Sequence, residues 1–384
     1  MITEFLYRQP VEIHFGRGRS RALKEILSSH GLRHGLLVCG RHFSEDARRL
    51  AEEIGACGVY ADIRENPLLS GVEETVRIAK AQQADCIIGI GGGSAMDTAK
   101  FAAAIAREDA NAEEYFSGRR AFPARGLPIV AIPTTAGTGS EVTQVSVISH
   151  GSVKRTINHP AFMPAIAVVD PDLSDSVPPF VVMCTGLDAL AHALEGYWSR
   201  QHQPLSDLMA VEAVRLITQN LEQAWADPFS REAHENMAFA ALLGGLAFAM
   251  PKTAGCHACS YPLCEHFPLS HGEACAFTLD SFVRVNADPR LEQLCQAAAV
   301  GNTRQLAAWI ARMKELAGLR TRLSQLDSAA KERAYGAGGA DTAGPAEEIT
   351  PQLLARESAV HPLMRNNPVS LDVAELTQLF EALR

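Results

Sequence analysis

The sequence predicts an α/β N-terminal domain, residues 1–182, followed by an all-helical C-terminal domain, residues 183–384. Three observations carry that expectation. The chain has 384 residues, beyond the size at which one core usually keeps growing. In its first half, short β-rich runs alternate with helical patterns, which implies a parallel sheet covered on both faces. After about residue 182 the β-rich runs stop and only helical spacing continues.

The β-rich runs are GLLVCG (35–40), GVYADI (58–63), ADCIIGIGGG (84–93), LPIVAIPTT (127–135) and AIAVVDP (165–171). The uninterrupted apolar stretch CIIGI suits a strand buried on both sides. Helical patterns lie between them at SEDARRLAEEIGA (44–56) and GVEETVRIAKAQQA (71–84). In the second half, 205–225, 231–250 and 304–319 have the spacing and length of helices. The stretch AYGAGGADTAGPAEE (334–348) is rich in Gly and Ala without periodicity and reads as an exposed loop.

Composition narrows the function. Hydrophobic residues make up 47% and charged residues 21%, an ordinary globular balance. A net charge of −9 gives no basic footprint for nucleic acid. No stretch reaches the length of uncharged apolar residues that spans a membrane, so no membrane partner is expected. The opening MITEFLYRQPVEIHFG lacks a basic segment followed by an apolar one, and the expected location is the cytoplasm, with nine free thiols. Cys256 and Cys259 form a C-x-x-C, but a zinc ribbon would need a second such pair.

Two turns suggest a nucleotide. GIGGGSAMDTAK (89–100) follows a buried-type strand and opens a helix. Glycines let backbone amides approach phosphate, and a helix N-terminus adds positive partial charge. The candidates there are Gly91, Gly92, Gly93, Ser94 and Asp97. PTTAGTGSE (133–141) follows the next strand and offers Thr134, Thr135, Thr138 and Ser140. Ligands of open parallel sheets gather at the carboxyl ends of strands. In the first βα turn, Gly40-Arg41 puts a cation where an acid would accept ribose hydroxyls. That favours NADP(H) over NAD(H), unless Arg41 is only a solvated loop residue.

Residues 184–198 read CTGLDALAHALEGYW. Asp188 and His192 stand four apart, so on a helix they project side by side. They offer one oxygen and one nitrogen to an ion, or they hydrogen-bond to each other. GCHACSYPLCEHFPLSHGEACAF (255–277) adds His257, His266 and His271, the last followed by Gly272, which permits close approach. One Asp with two or three His suits Fe²⁺ or Zn²⁺.

Along nearly its whole length the chain resembles the iron-containing (group III) alcohol dehydrogenases. The shared segments run in order: VEIHFGRG (11–18), ENP (65–67), GGGSAMDTAK (91–100), PTTAGTGSE (133–141), VVDP (168–171), GLDALAHALE (186–195), the paired late histidines and NNP (366–368). The resemblance implies a dinucleotide-binding α/β domain and a helical metal-binding domain, the architecture shared with dehydroquinate synthase. It implies a divalent metal, Fe²⁺ before Zn²⁺, on Asp188, His192, His257 and His271, and a homodimer.

Where many family members carry a further histidine four residues after the first late ligand, this chain has Tyr261, either a proton-relay group or a wall of the pocket. KTAGCHACSYPL (252–263) and ALEGYWS (193–199) are similar to a narrower branch, the phosphonoacetaldehyde reductases. A dianionic phosphonate needs a cation, for which Lys252 is the first candidate and Arg365 and Arg155 come after it, against the alternative that each is a surface or interdomain ion-pair partner. The expected reaction is hydride transfer between NAD(P)H and a small aldehyde, phosphonoacetaldehyde first, with sulfoacetaldehyde or a short-chain aldehyde as alternatives. A lyase or a nucleotide-binding sensor of the same fold are the remaining alternatives.

Overall fold

The computed structural model describes residues 4–151, 153–326 and 349–384. The Gly/Ala-rich stretch at 334–348 lies outside the described residues. The chain divides into two compact units, Gln9–Ser176 and a second made of Val177–Arg384 together with residues 4–8.

The first unit is built on a six-stranded parallel sheet. Its strands are β1 (Glu12–Phe15), β2 (Gly35–Gly40), β3 (Gly58–Ile63), β4 (Cys86–Gly91), β5 (Ile129–Pro133) and β8 (Ile166–Val169), in the order β1-β8-β5-β4-β2-β3. β6 (Val145–His150) and β7 (Val153–Asn158) form a separate antiparallel hairpin. The helices are α1 (Leu23–Ser29), α2 (Ser44–Ile54), α3 (Leu69–Ala81), α4 (Gly93–Ile105) and α5 (Ala112–Phe116).

Period-two alternation sorts the strand side chains between two cores. Leu36, Val38 and Ile87 pack with Val72, Ala99 and Phe101 on one face. Leu37, Cys39, Ile88 and Ile90 pack with Leu23, Ile26 and Ala47 on the other. Central strands buried on both faces need this near-continuous apolar composition. The first motif of the chain has a structural role. Asp170, 1% exposed just after β8, accepts from the backbone N–H of Gly18 and Ser20 and from the Ser20 hydroxyl, tying the turn after β1 to the sheet.

Chain order reverses across β2 and β4. β3 lies outside β2, whereas β4 and β5 extend the sheet the other way. Such a switch point opens a crevice at the carboxyl ends of the strands. β1 and the β6–β7 hairpin were not among the β-rich runs expected from sequence. The hairpin alternates, with Ser146 and Ile148 buried between less buried Val145 and Val147, and turns at Gly151 with φ +60°.

The second unit is helical among its described residues: α6 (Pro179–Trp198), α7 (Pro204–Ala226), α8 (Arg231–Ala249), α9 (Gly255–His266), α10 (His271–Val285), α11 (Pro289–Ala297), α12 (Thr303–Leu316), α13 (Pro351–Val360) and α14 (Val373–Ala382). Small residues let α6 pack closely. A Cβ at Gly186 would lie 2.3 Å from Leu221 on α7, and one at Gly196 would lie 2.7 Å from the Ala247 carbonyl on α8. No helix among the described residues is long and apolar enough to cross a membrane.

Candidate metal centre and nucleotide turns

α6 is 20 residues long and almost wholly buried, so a polar group on it must find partners inside the protein. Asp188, His192 and Glu195 recur at i, i+4 and i+7 and therefore share one face. Gly272 makes the meeting with α10 possible, since a Cβ there would sit 2.3 Å from the Cys184 carbonyl and 3.4 Å from Asp188 Cβ. Ser270 caps α10 by accepting from the Glu273 N–H, and Glu273 in turn receives Arg320. His271 is thereby presented from the first turn of α10.

Asp188, His257 and His271 converge, with His192 beside Asp188 and His257. His257 Nε2 and His271 Nε2 lie 3.7 and 3.8 Å from Asp188 Oδ1. His192 Nδ1 lies 4.0 Å from Asp188 Oδ2, and its Nε2 is 3.0 Å from His257 Nε2. Asp188 is 1% exposed, and its Oδ1 has no hydrogen-bond partner. A buried carboxylate oxygen without a donor is costly unless something cationic meets it. Burial pushes the Asp188 carboxyl pKa up, but His192, His271 and His257 outweigh it and hold the value below the usual range. The cluster is open at His271, which keeps 41% of its side-chain surface accessible.

Glu195 was not singled out from sequence. It is fully buried, its Oε1 accepts from the Cys256 N–H at 2.6 Å, and its Oε2 takes His257 Nδ1 at 2.5 Å. With Nδ1–H donated to Glu195, His257 Nε2 carries the lone pair and turns it toward Asp188. Such a carboxylate behind a histidine fixes tautomer and ring orientation at metal sites. Cys275, one turn after His271, was also missed. Its Sγ lies 3.7 Å from His271 Nε2, and its potential ligand atom falls within 4.8 Å of those of Asp188, His257 and His271. Burial pushes this thiol well above the ordinary thiol range. His266 ends α9 and turns to Glu357 at 2.7 Å.

The donor set fits a divalent ion. Three imidazoles and a carboxylate leave about one net positive charge on a dication, and they suit Fe²⁺ or Zn²⁺. Phe248 stacks on His192 with ring centroids 4.2 Å apart. One turn on, Lys252 stands in a left-handed backbone conformation at φ +69° and donates to the Ala249 carbonyl at 2.8 Å. Burial depresses its pKa. Asn366 donates to the Thr253 carbonyl at 2.8 Å, which brings the segment carrying exposed Arg365 to the neighbourhood of Lys252. Tyr261, four residues after His257, stacks on His361 at 4.2 Å.

The nucleotide candidates line the carboxyl edge of the sheet in the other unit. Gly91 adopts φ +146°, and Gly92 precedes α4 in extended conformation. Thr135 lies against Gly92 and Thr138 against Gly93, where added Cβ atoms would come within 3.5 and 3.3 Å of them. Thr134 is buried, with its N–H on the Gly91 carbonyl, and Ser94 accepts from the Thr98 hydroxyl through its carbonyl. Asp97 and Ser140 turn inward. The Ser140 hydroxyl donates to Asp97 at 2.8 Å, Asp97 accepts from the Val147 N–H, and fully buried Lys100 donates to Ser140 at 2.6 Å. Burial brings the Lys100 pKa down to about 8. This network pins the second turn and β6 onto α4. Arg155, on β7, donates to the Phe116 carbonyl at 2.9 Å and lies over that ring.

Comparison with known proteins adds a family. The sequence description "Iron-containing alcohol dehydrogenase" matches residues 10–171, and "Fe-containing alcohol dehydrogenase family, C-terminal" matches 182–383. Long-chain-alcohol dehydrogenase 1 of Geobacillus thermodenitrificans is 41% identical over 65% of this chain, a match that spans 64% of that relative's length. A sulfoacetaldehyde reductase of Bilophila wadsworthia is 29% identical over 87% of this chain and 86% of its own. The crystal structure of sulfoacetaldehyde reductase from Bifidobacterium kashiwanohense in complex with NAD⁺ superposes with a TM-score of 0.90 at 37% identity, over 99% of both chains.

Proposed function

The chain belongs to the iron-containing alcohol dehydrogenase family, and from that premise we propose that it reduces a short aldehyde bearing an oxoanion, phosphonoacetaldehyde or sulfoacetaldehyde, with NAD(P)H. The observation that carries the reading is buried Asp188, whose Oδ1 has no hydrogen-bond partner and faces His257 and His271 while its Oδ2 faces His192. A divalent ion there, held by Asp188 and the three histidines, supplies Lewis acidity toward a carbonyl oxygen. A nicotinamide supplies the hydride, held by the Gly91–Gly93 and Thr134–Thr138 turns. Glu195 holds His257 through Nδ1 and so aims its Nε2 at the site. Tyr261 Oη is the group assigned to return a proton to the product oxygen, its ring fixed by His361. Arg41 is the cation at the strand end that would meet a 2′-phosphate, but Asp62 engages it, so the choice between NADP(H) and NAD(H) turns on that pair.

Lys252 supports the anionic substrate. It is a largely buried ammonium whose hydrogen bond goes to a neutral carbonyl, one turn from the residue that stacks on His192. Arg365 is the second cation of that neighbourhood, and Arg155, engaged with Phe116, is left out. The likeness to two sulfoacetaldehyde reductases favours sulfoacetaldehyde as the alternative to the phosphonate. A kinetic panel of phosphonoacetaldehyde, sulfoacetaldehyde and butanal tests the reading. One of the two anionic aldehydes is expected to exceed butanal about a hundredfold in kcat/KM, the size of a well-placed charge contact. Equal turnover of all three would refute it.

A further inference from the structure

Gly40 ends β2, the strand beside β4 at the switch point. An acid at that position would accept the ribose hydroxyls of a dinucleotide lying along the strand ends. Gly40 offers no side chain there, and a Cβ on it would meet the exposed His42 ring, 2.9 Å from Cε1, which would have to turn aside. An acid stands on the neighbouring strand. Gly40 is in register with Ile63 on β3, and Asp62, one residue earlier, takes Arg41 Nε in an exposed ion pair. The Arg41 hydrogen bond, with Arg64 adding its charge, holds the Asp62 carboxyl below the usual carboxylate range, so it stays ionised.

We propose that Asp62 sets the discrimination between NAD(H) and NADP(H) by holding Arg41 in an ion pair at the strand end that would receive the adenosine ribose. The inference rests on the reading of this edge as a dinucleotide site. An ionised aspartate accepts from ribose hydroxyls and repels a 2′-phosphate, whereas an arginine does the reverse. Locked together, the two nearly cancel. A 2′-hydroxyl meets Asp62 without disturbing the pair. A 2′-phosphate must draw Arg41 away and sit beside a carboxylate.

The test is the pair of dissociation constants for NADH and NADPH, read from nicotinamide fluorescence without aldehyde, in wild type, Asp62→Asn and Arg41→Gln. Both residues are exposed, so folding is checked simply by unchanged Tm. Asp62→Asn is expected to move the preference about tenfold toward NADPH, and Arg41→Gln about tenfold toward NADH, the scale of one charge-assisted contact. If Asp62→Asn leaves the ratio within about twofold of wild type while both dinucleotides still bind, the role of Asp62 is wrong and the dinucleotide site stands. Wild type that binds neither dinucleotide overturns the site and this inference together.

Discussion

Glu195 grips His257 at two points, through the backbone N–H of Cys256 beside it and through the ring Nδ1 itself. One buried carboxylate therefore sets both where α9 begins and which way the imidazole faces. Glu195→Gln keeps the volume and removes the charge. Outer-shell partners of this kind typically contribute 10- to 100-fold in metal affinity, so a loss of about that size is expected. Metal retained after dialysis against graded chelator measures it, and retention equal to wild type would show that Glu195 is only a packing residue.

Asp188 is the group with most to lose. Asp188→Asn leaves the fold of α6 in place but removes the charge that the three histidines surround. A drop of about 10³-fold in kcat/KM is expected, the equivalent of several kcal/mol of transition-state charge stabilisation. Bound metal, assayed in parallel, should fall with it. Full activity in this variant contradicts the metal site.

Lys252→Met tests the anion contact. KM for an anionic aldehyde should rise about 30-fold or more, and KM for butanal should stay near wild type. The pH dependence follows from burial, which lowers the Lys252 pKa. Only the protonated amine attracts an anion, so its contribution is complete at low pH. It is lost as pH rises through a value below the ordinary lysine range. A KM for the anionic aldehyde that starts to climb only at the pH of a free lysine speaks against this assignment.

Gly272→Ala probes how the site is closed. The added methyl would overlap the Cys184 carbonyl, so α10 must shift away from α6 and carry His271 with it. Overpacking of this kind costs about 1–3 kcal/mol. A lower Tm together with weaker metal retention is expected in thermal melts and metal analysis, whereas an unchanged Tm would mean that the helices have slack at this crossing.

Much of this was legible in linear order. The continuous apolar run CIIGI announced a doubly covered strand, and the Gly-rich turn after it stands at a strand end where parallel sheets bind ligands. Asp188 and His192 were visible because helical spacing is local. Glu195 has the same signal, at i+7 from Asp188, but its partners Cys256 and His257 are 61 and 62 residues away. Its importance appears only when α9 is packed on α6. Asp97 and Ser140 show the converse. Their place in phosphate-type turns suggested a ligand role, yet both point inward to Lys100, because a buried ammonium needs acceptors.

By itself, then, the order of residues determined the two kinds of domain, the periodicity of their elements and the residue types available for a cation, since these depend on contacts within a few positions. Tertiary structure decided which nitrogen of His257 is available, that Asp188 Oδ1 is left without a donor, that Arg41 is held by an acid from the next strand, and that Arg155 is engaged elsewhere. Those outcomes depend on distance between segments remote in the chain, and on the price of leaving a buried polar atom without a partner.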